Sequence, residues 1–222
     1  MPTFQTIQQE ADDRNLIRKI QRAVGFLAPT SVELPDSIFS GAGTLIDLKA
    51  LGYLPLGMVT PDGYEFGRDV SEESVSALGY AGPQRTDVTE VARSITVTGI
   101  ETGRKHIQEL IYGTDLTATT QDQTTGEIVF DEPDLPVGKE YRFIVLGSDG
   151  PADNNWILGN GYGLVKLGNS DSQKWGSADP VSNALTFNVF TDDEIGTPVR
   201  HYMGGTGALK AKTTLGFTAG TP

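Results

Sequence analysis

The chain has no cysteine, which removes disulfides, thiolate zinc sites and cysteine nucleophiles together. Histidine is almost as scarce: His106 and His201 are the two present, and neither belongs to an HExxH or HxH pattern. No stretch approaches the roughly 20 consecutive apolar residues of a membrane-spanning helix. Residues 1–14 are polar and acidic, without the charged-then-apolar layout of a secretory signal, so synthesis and first use on the cytoplasmic side are expected. Basic residues are few: 17 Lys and Arg face 29 Asp and Glu, a net charge of −12 that opposes non-specific binding to DNA. Residues 1–22 hold Arg14, Arg18, Lys19 and Arg22 against Glu10, Asp12 and Asp13, a local +1 that leaves −13 for the remainder. An acidic body with a mildly basic start suits protein–protein contact better than a grip on nucleic acid, although solvated acidic loops alone would give the same numbers.

Signals for catalysis are also missing. A phosphate cradle needs its glycines to open onto a helix N-terminus. Gly159–Gly163 and Gly204–Gly207 are both followed by β-like sequence, and Lys210 stands in the wrong place for a Walker lysine, so turns or bulges are expected at both. No Gly-x-Ser-x-Gly elbow is present. The acidic loops Asp149–Asp153 and Asp192–Glu194 could attract Ca²⁺, yet neither matches the EF-hand pattern. His106 reads as a surface residue on the polar flank of a helix. No residue is singled out as catalytic, cofactor-binding or metal-ligating, and a non-enzymatic role is expected.

What is present points to β structure. With 37% hydrophobic residues, 27 Gly and 12 Pro in 222 residues, the chain is globular in composition and rich in turns. Residues 1–12 lack periodicity and read as an arm. Leu16, Ile17, Ile20 and Val24 recur at helical spacing after Asp12 and Asp13, which predicts a helix there, packed either on its own domain or on a partner. The organisation expected is an N-terminal arm and helix over 1–25, then one β domain over 26–222 with long loops and a C-terminal extension. Gly25–Gly43 reads as loop. Leu54–Thr60 and Tyr64–Phe66 flank a Pro61-Asp62-Gly63 turn signal. Shorter polar strands are expected at Glu73–Leu78 and Arg85–Thr89, and a half-buried one at Ser94–Ile100 with Ile95 and Val97 inward. Thr102 is the candidate N-cap of a helix whose stripe is Ile107, Leu110 and Ile111 and whose C-cap is Gly113. Further strands are expected at Glu127–Phe130, at Lys139–Gly147 (covered on both faces), at Trp156–Leu167 (a bulged strand or strand pair), and at Ala184–Phe190, Pro198–Met203 and Ala211–Phe217. A flexible tail is expected after Thr218.

The order of these pieces resembles the core of the major tail (tail tube) proteins of long-tailed bacteriophages, particularly those infecting actinobacteria. The matching residues are Leu56-Gly57, Asp62-Gly63, Arg85-Thr86-Asp87-Val88, Ile95–Thr102 and the run Ile107–Gly113 ending Tyr-Gly. Asp193–Val199 leading to His201–Gly207 is similar to the family's closing stretch, without the Trp that often follows it. The first 40 residues have no counterpart, and Thr114–Ser182 matches only as generic strands and loops. The resemblance implies a mainly β fold of two packed antiparallel sheets, sandwich- or barrel-like, flanked by a helix. It also implies self-association into hexameric rings that stack into a tube, and contacts with a tape measure protein, a tail terminator and a distal tail protein. DNA would pass through the lumen without specific binding, no membrane would be involved, and the protein would reside in the virion after synthesis in the host cytoplasm. The competing reading is a virion surface β-sandwich that recognises a receptor or carbohydrate through Trp156, Tyr162 and Trp175.

Overall fold

Tyr141, Phe143 and Val145 alternate with Arg142, Ile144 and Leu146, and a strand apolar on both sides must be covered on both. The computed structural model, which describes residues 2–218 except 172 and 174, places that strand in the middle of a large antiparallel sheet. The strands are β1 (Arg22–Pro29), β2 (Phe39–Gly41), β3 (Thr44–Leu45), β4 (Leu54–Pro55), β5 (Val59–Ser76), β6 (Pro83–Gly99), β7 (Glu140–Asp149), β8 (Trp156–Ser170), β9 (Asn183–Phe190) and β10 (Arg200–Gly204). Three short helices accompany them: α1 (Phe4–Ala11), α2 (Lys105–Tyr112) and α3 (Thr206–Lys210). The sheet runs β4-β1-β7-β8-β9-β6-β5, with β10 pairing the first half of β8 beside β9 on its second half. A separate two-stranded sheet joins β2 to β3.

The two ends of the large sheet are one stretch of chain. Leu54 and Pro55 pair with β1, and from Val59 onward the same stretch pairs with β6. Between them the Leu56 N–H donates to the Gly25 carbonyl at 2.8 Å, and Met58 accepts from the Ile100 N–H at 2.9 Å. The sheet therefore curls back on itself in a barrel-like closure. Its interior holds Leu27, Leu56, Ile95, Val97, Phe143, Val145, Tyr162, Val165, Leu185 and Phe187, joined by Ile107 and Leu110 of α2. The space is tight where β1 faces β5: a Cβ on Gly25 would lie 2.8 Å from the Tyr64 hydroxyl and 3.0 Å from the Phe143 ring.

The outer face of β1, β7 and β8 carries a second core. Ala28, Ile144, Leu146 and Ile157 pack beneath Leu34, Ile38, Leu48 and Tyr53 of the segment between β1 and β4, with Tyr202 of β10 alongside. The phenols that reach into this layer are tied down: Tyr53 donates to the Glu33 carbonyl at 3.0 Å and Tyr202 to the Pro35 carbonyl at 2.6 Å. The small β2–β3 sheet belongs to this layer, so the chain forms the mainly β, layered antiparallel fold expected, with short helices.

Ile95 and Val97, Leu185 and Phe187, and the doubly covered β7 stand where their alternation put them. Gly113 caps α2 in the left-handed region at φ 59°. Trp156–Leu167 is one bulged strand: three steps from Tyr162 to Val165 face two from Phe143 to Tyr141.

Other expectations are corrected. The helix expected after Asp12 is absent; α1 lies upstream, Arg14–Leu16 makes one 3₁₀ turn, and the chain enters β1 at Arg22. Eight consecutive pairs with β7, from Arg22↔Ser148 to Pro29↔Tyr141, outweigh the weak preference of a short lone helix. The expected boundary at residue 25 accordingly falls inside a strand, and Gly25–Pro29 is sheet rather than loop. Pro61-Asp62-Gly63 is not a hairpin turn but part of a bulge within β5, where five steps from Val59 to Tyr64 face two from Gly99 to Val97. The two short polar strands are halves of one long β5–β6 hairpin. Glu127–Phe130 forms no strand, because the Asp122 carboxylate and hydroxyls of neighbouring threonines take up local backbone donors in turns. Ala211–Phe217 continues α3 as turns, with Thr214 and Leu215 N–H bonded to Ala211. Arg104, not Thr102, occupies the N-cap of α2, and the Thr102 carbonyl instead accepts from the Gln108 side chain. The tail after Thr218 lies outside the described residues.

Candidate assembly interface

β6 pairs with β9 only from Arg93 to Gly99, so the rest of the β5–β6 hairpin has no third strand. Every residue from Arg68 to Glu90 is exposed. Eight residue steps along β5 from Arg68 to Ser76 carry the ribbon roughly 25 Å beyond the barrel at about 3.3 Å per step. Regular cross-strand pairing holds it, including Ser74 against Thr86 with hydroxyls 3.2 Å apart, while register shifts at Ser71/Glu72 and Val75/Ser76 add twist. The ribbon carries Asp69, Glu72, Glu73, Asp87 and Glu90 against Arg68 and Arg85, and Arg85 is held by Asp87 at 2.6 Å. Between the charges it shows Val75, Leu78, Tyr80 and Val88 to solvent, with Leu78 fully exposed at the tip. A two-stranded ribbon has marginal stability by itself in water, and its free edges are templates for pairing.

The ribbon's root is the bulge in β5. Met58, Tyr64, Phe66 and Ile100 there face Ile20 and Leu158 across a pocket of about 680 Å³. The Tyr64 hydroxyl and the Thr60 hydroxyl are buried without a hydrogen-bond partner among the described residues. Burial pushes the Tyr64 phenol up to about 12, so it is neutral at any physiological pH.

The N-terminal segment is anchored beside this pocket. The Arg18 guanidinium lies 4.0 Å over the Trp156 ring and 3.5 Å from the Asp149 carboxylate, and Ile20 rests on Gly147. Arg142 makes the other buried polar contact: its Nε donates to the Thr30 carbonyl at 3.1 Å, one Nη to Asp192 at 3.1 Å and the other to Glu194 at 2.7 Å. Both acidic loops singled out in the sequence are thus engaged by arginine. Among the described residues no group of three or more His, Asp or Glu is placed to hold a metal ion.

The remaining candidates are dispersed. The His106 ring is partly buried, with Nε2 2.8 Å from the Pro55 carbonyl, rather than free on the surface, and His201 Nδ1 lies 2.8 Å from the Asn160 side chain. Trp156 and Tyr162 are core residues, 3% exposed each, whereas Trp175 is 81% exposed, so the three aromatics form no common face. Gly159, Gly161 and Gly163 lie within β8 where neighbouring side chains leave no room for a Cβ. Gly204–Gly207 does open onto a helix, contrary to the expected β sequence. That helix has five residues, the Gly207 N–H already donates to the Asn155 carbonyl at 2.9 Å, and Lys210 is held by the Asp153 carbonyl at 2.6 Å.

Sequence reasoning missed the ribbon as one element and Arg142 as a hub. Both had signals: alternating polar residues on either side of Ala77–Gly82 for the first, and a lone arginine in the apolar run from Tyr141 to Leu146 for the second.

No family model and no curated protein matches the chain. Among solved structures it is similar to the anti-feeding prophage cap (the AFP tube terminating cap), determined by cryo-EM, at 11% identity and a TM-score of 0.42 over 87% of this chain and 97% of that one. So distant a likeness assigns no function.

Proposed function

We propose that the chain is a structural subunit of a phage tail, a tail tube protein that assembles into stacked hexameric rings around a lumen through which DNA passes. The observation that carries this reading is the exposed ribbon Arg68–Glu90, a long hairpin that leaves its edges and apolar side chains without partners in the single chain. Pairing with a neighbouring subunit satisfies those edges, and closure of a ring removes them altogether. The sequence resemblance to major tail proteins touches the ribbon at Arg85–Val88 and continues past it through Ile95–Thr102. The net charge of −12 suits a conduit that must not hold DNA, since phosphate binding depends on Lys and Arg. A structural role also fits a set of buried polar groups that are absorbed by packing rather than gathered around a reactive centre. In this reading the protein works in the virion with a tape measure protein, a tail terminator and a distal tail protein as partners.

The receptor- or carbohydrate-binding alternative loses most of its support, because two of its three aromatics are core residues. Negative-stain electron microscopy of the purified protein, alone and with a tape measure protein, tests the main reading. Rings or tubes are expected; a strictly monomeric protein at high concentration under both conditions would sink it.

A further inference from the structure

Helix α1 is the least explained element of the molecule. Phe4, Ile7 and Ala11 fall on one face at i, i+3 and i+7, yet no residue of the helix is buried; Phe4 is 80% exposed and Ile7 51%. The helix is capped by Thr3, whose hydroxyl accepts from the Thr6 N–H at 3.3 Å. Eight residues with one cap make a marginal helix in water, where most helical stability comes from packing an apolar face.

The same chain carries an empty groove of about 860 Å³. One wall is the β2–β3 hairpin with Phe39, the floor is the end of β10 at Met203, and the other wall is α3 and the turns after it, with Leu209, Leu215 and Phe217. Gly204 lets the Phe39 ring pack directly onto the end of β10, since a Cβ there would lie 2.6 Å from that ring. Met203, Leu209 and Phe217 are 47%, 58% and 73% exposed, an apolar surface of the kind that marks an interaction site. Charge matches as well. Residues 2–13 contain Glu10, Asp12 and Asp13 and no basic residue, whereas the groove is lined by Lys212 and by no acid.

We propose that this groove receives α1 of a second copy of the chain, with Phe4 and Ile7 inserted between Phe39 and Leu209 and the acids at the helix's end facing Lys212. The inference rests on the self-assembly proposed above and names one contact through which it proceeds. An eight-residue helix is about 12 Å long, short enough to be a plug rather than a strut. Helix and groove are different surfaces, and among the described residues both are uncovered on the same chain. When each chain gives its helix to one neighbour and receives one from another, the contact is heterologous and builds a ring or a filament; reciprocal exchange between two copies would instead close a dimer.

Because the chain lacks cysteine, two single variants read the contact without background. Ile7→Cys and Leu209→Cys, both at exposed positions, are purified separately as full chains, mixed and oxidised. The expected result is a cross-linked dimer of one variant with the other, absent from either alone, because a disulfide needs the two Cβ atoms within about 4.5 Å. Leu209→Glu in the full chain is expected to raise the concentration needed for assembly about tenfold or more, the loss equivalent to one buried aliphatic side chain. Three outcomes overturn the proposal: rings or tubes of wild type with no cross-link in the mixture; a disulfide formed only within one chain when Ile7→Cys and Leu209→Cys are combined in a single chain; and Ile7→Cys dimers as the sole product. The first leaves the tail reading standing. A cross-link in the mixture without rings or tubes would do the reverse, upholding the contact and removing the tail.

Discussion

The Arg142 guanidinium of β7 and the Asp192 carboxylate in the turn after β9 lie 3.1 Å apart, and both side chains are less than a tenth exposed. The other Asp192 oxygen accepts the N–H groups of Glu194 and Ile195, at 2.9 and 3.0 Å, so the aspartate shapes its own turn while holding the arginine. Gly163, in the bulge of β8 opposite Arg142, makes the approach possible; a Cβ there would fall 2.6 Å from the Asp192 Cβ. Arg142→Met leaves the Asp192 charge buried without its partner and is expected to cost about 3–5 kcal/mol in urea unfolding, whereas Asp192→Asn leaves Arg142 paired with Glu194 and should cost less. The double variant should recover a substantial part of that, and additive losses would show that the two groups act independently. Gly163→Ala should destabilise in the same direction by displacing the turn.

Shortening the ribbon separates folding from assembly. Every residue from Glu72 to Thr89 is exposed and its strand partners lie within the hairpin, and exposed positions away from special features usually contribute within about 0.5 kcal/mol each. Replacing Glu72–Thr89 by a two-residue Asn-Gly turn, flanked by the Ser71↔Glu90 pair, should leave the urea midpoint of the monomer nearly unchanged and abolish rings and tubes in electron micrographs. Tubes of normal appearance from the shortened chain would show that the ribbon is dispensable.

The sequence carried the barrel's interior well and its periphery poorly, for a physical reason. Ile95, Val97, Leu185 and Phe187 announce themselves because alternation with polar neighbours is the direct consequence of a half-buried strand. Residues 16–24 misled because Leu16, Ile17, Ile20 and Val24 satisfy a helical spacing, while the partner that decides the matter, β7, lies more than a hundred residues away. Pro61-Asp62-Gly63 has the chemistry of a turn whether it reverses the chain or merely bulges it, and only the register against β6 distinguishes the two. The ribbon was read as two short strands because its centre, Ala77–Gly82, is a true turn and its flanks are polar on both faces. The groove and the exposed face of α1 leave almost no local trace, since each is defined by what does not cover it.

The β5 bulge inserts three residues into the ladder between Val59 and Tyr64, and its removal can be tested. Without Pro61, Asp62 and Gly63, Val59 would still face Gly99 and Tyr64 would still face Val97, with Thr60 opposite Thr98 between them. The deletion is therefore expected to keep every later side chain on its present face and to change unfolding stability by about 1 kcal/mol or less, part of it gained by removing Gly63 at φ 75°. Loss of cooperative unfolding would mean that the bulge sets the closure of the barrel and not merely the pocket beside it.

Glu101 links the barrel's seam to the approach of α2, and its chemistry sets a pH dependence. Its carboxylate accepts the Met58 N–H at 2.8 Å and is paired with Arg104, and these two interactions, the backbone hydrogen bond first, hold it below its ordinary value. A carboxylate whose folded value is depressed adds stability that is complete above the unfolded value, about 4.3 for glutamate, and is lost as pH falls through the lower folded value. Glu101→Gln keeps the size and an acceptor oxygen for the Met58 N–H but cannot titrate. Wild type should therefore lose more stability than Glu101→Gln between pH 6 and pH 3, measured by urea unfolding at each pH. Parallel curves would show that the Met58 and Arg104 contacts do not depend on the charge. A steeper loss in the variant would reverse the sign of the linkage and place the acid sensitivity elsewhere, with Asp115 and Asp122, whose carboxylates are also held low by neighbouring threonines, the next groups to replace.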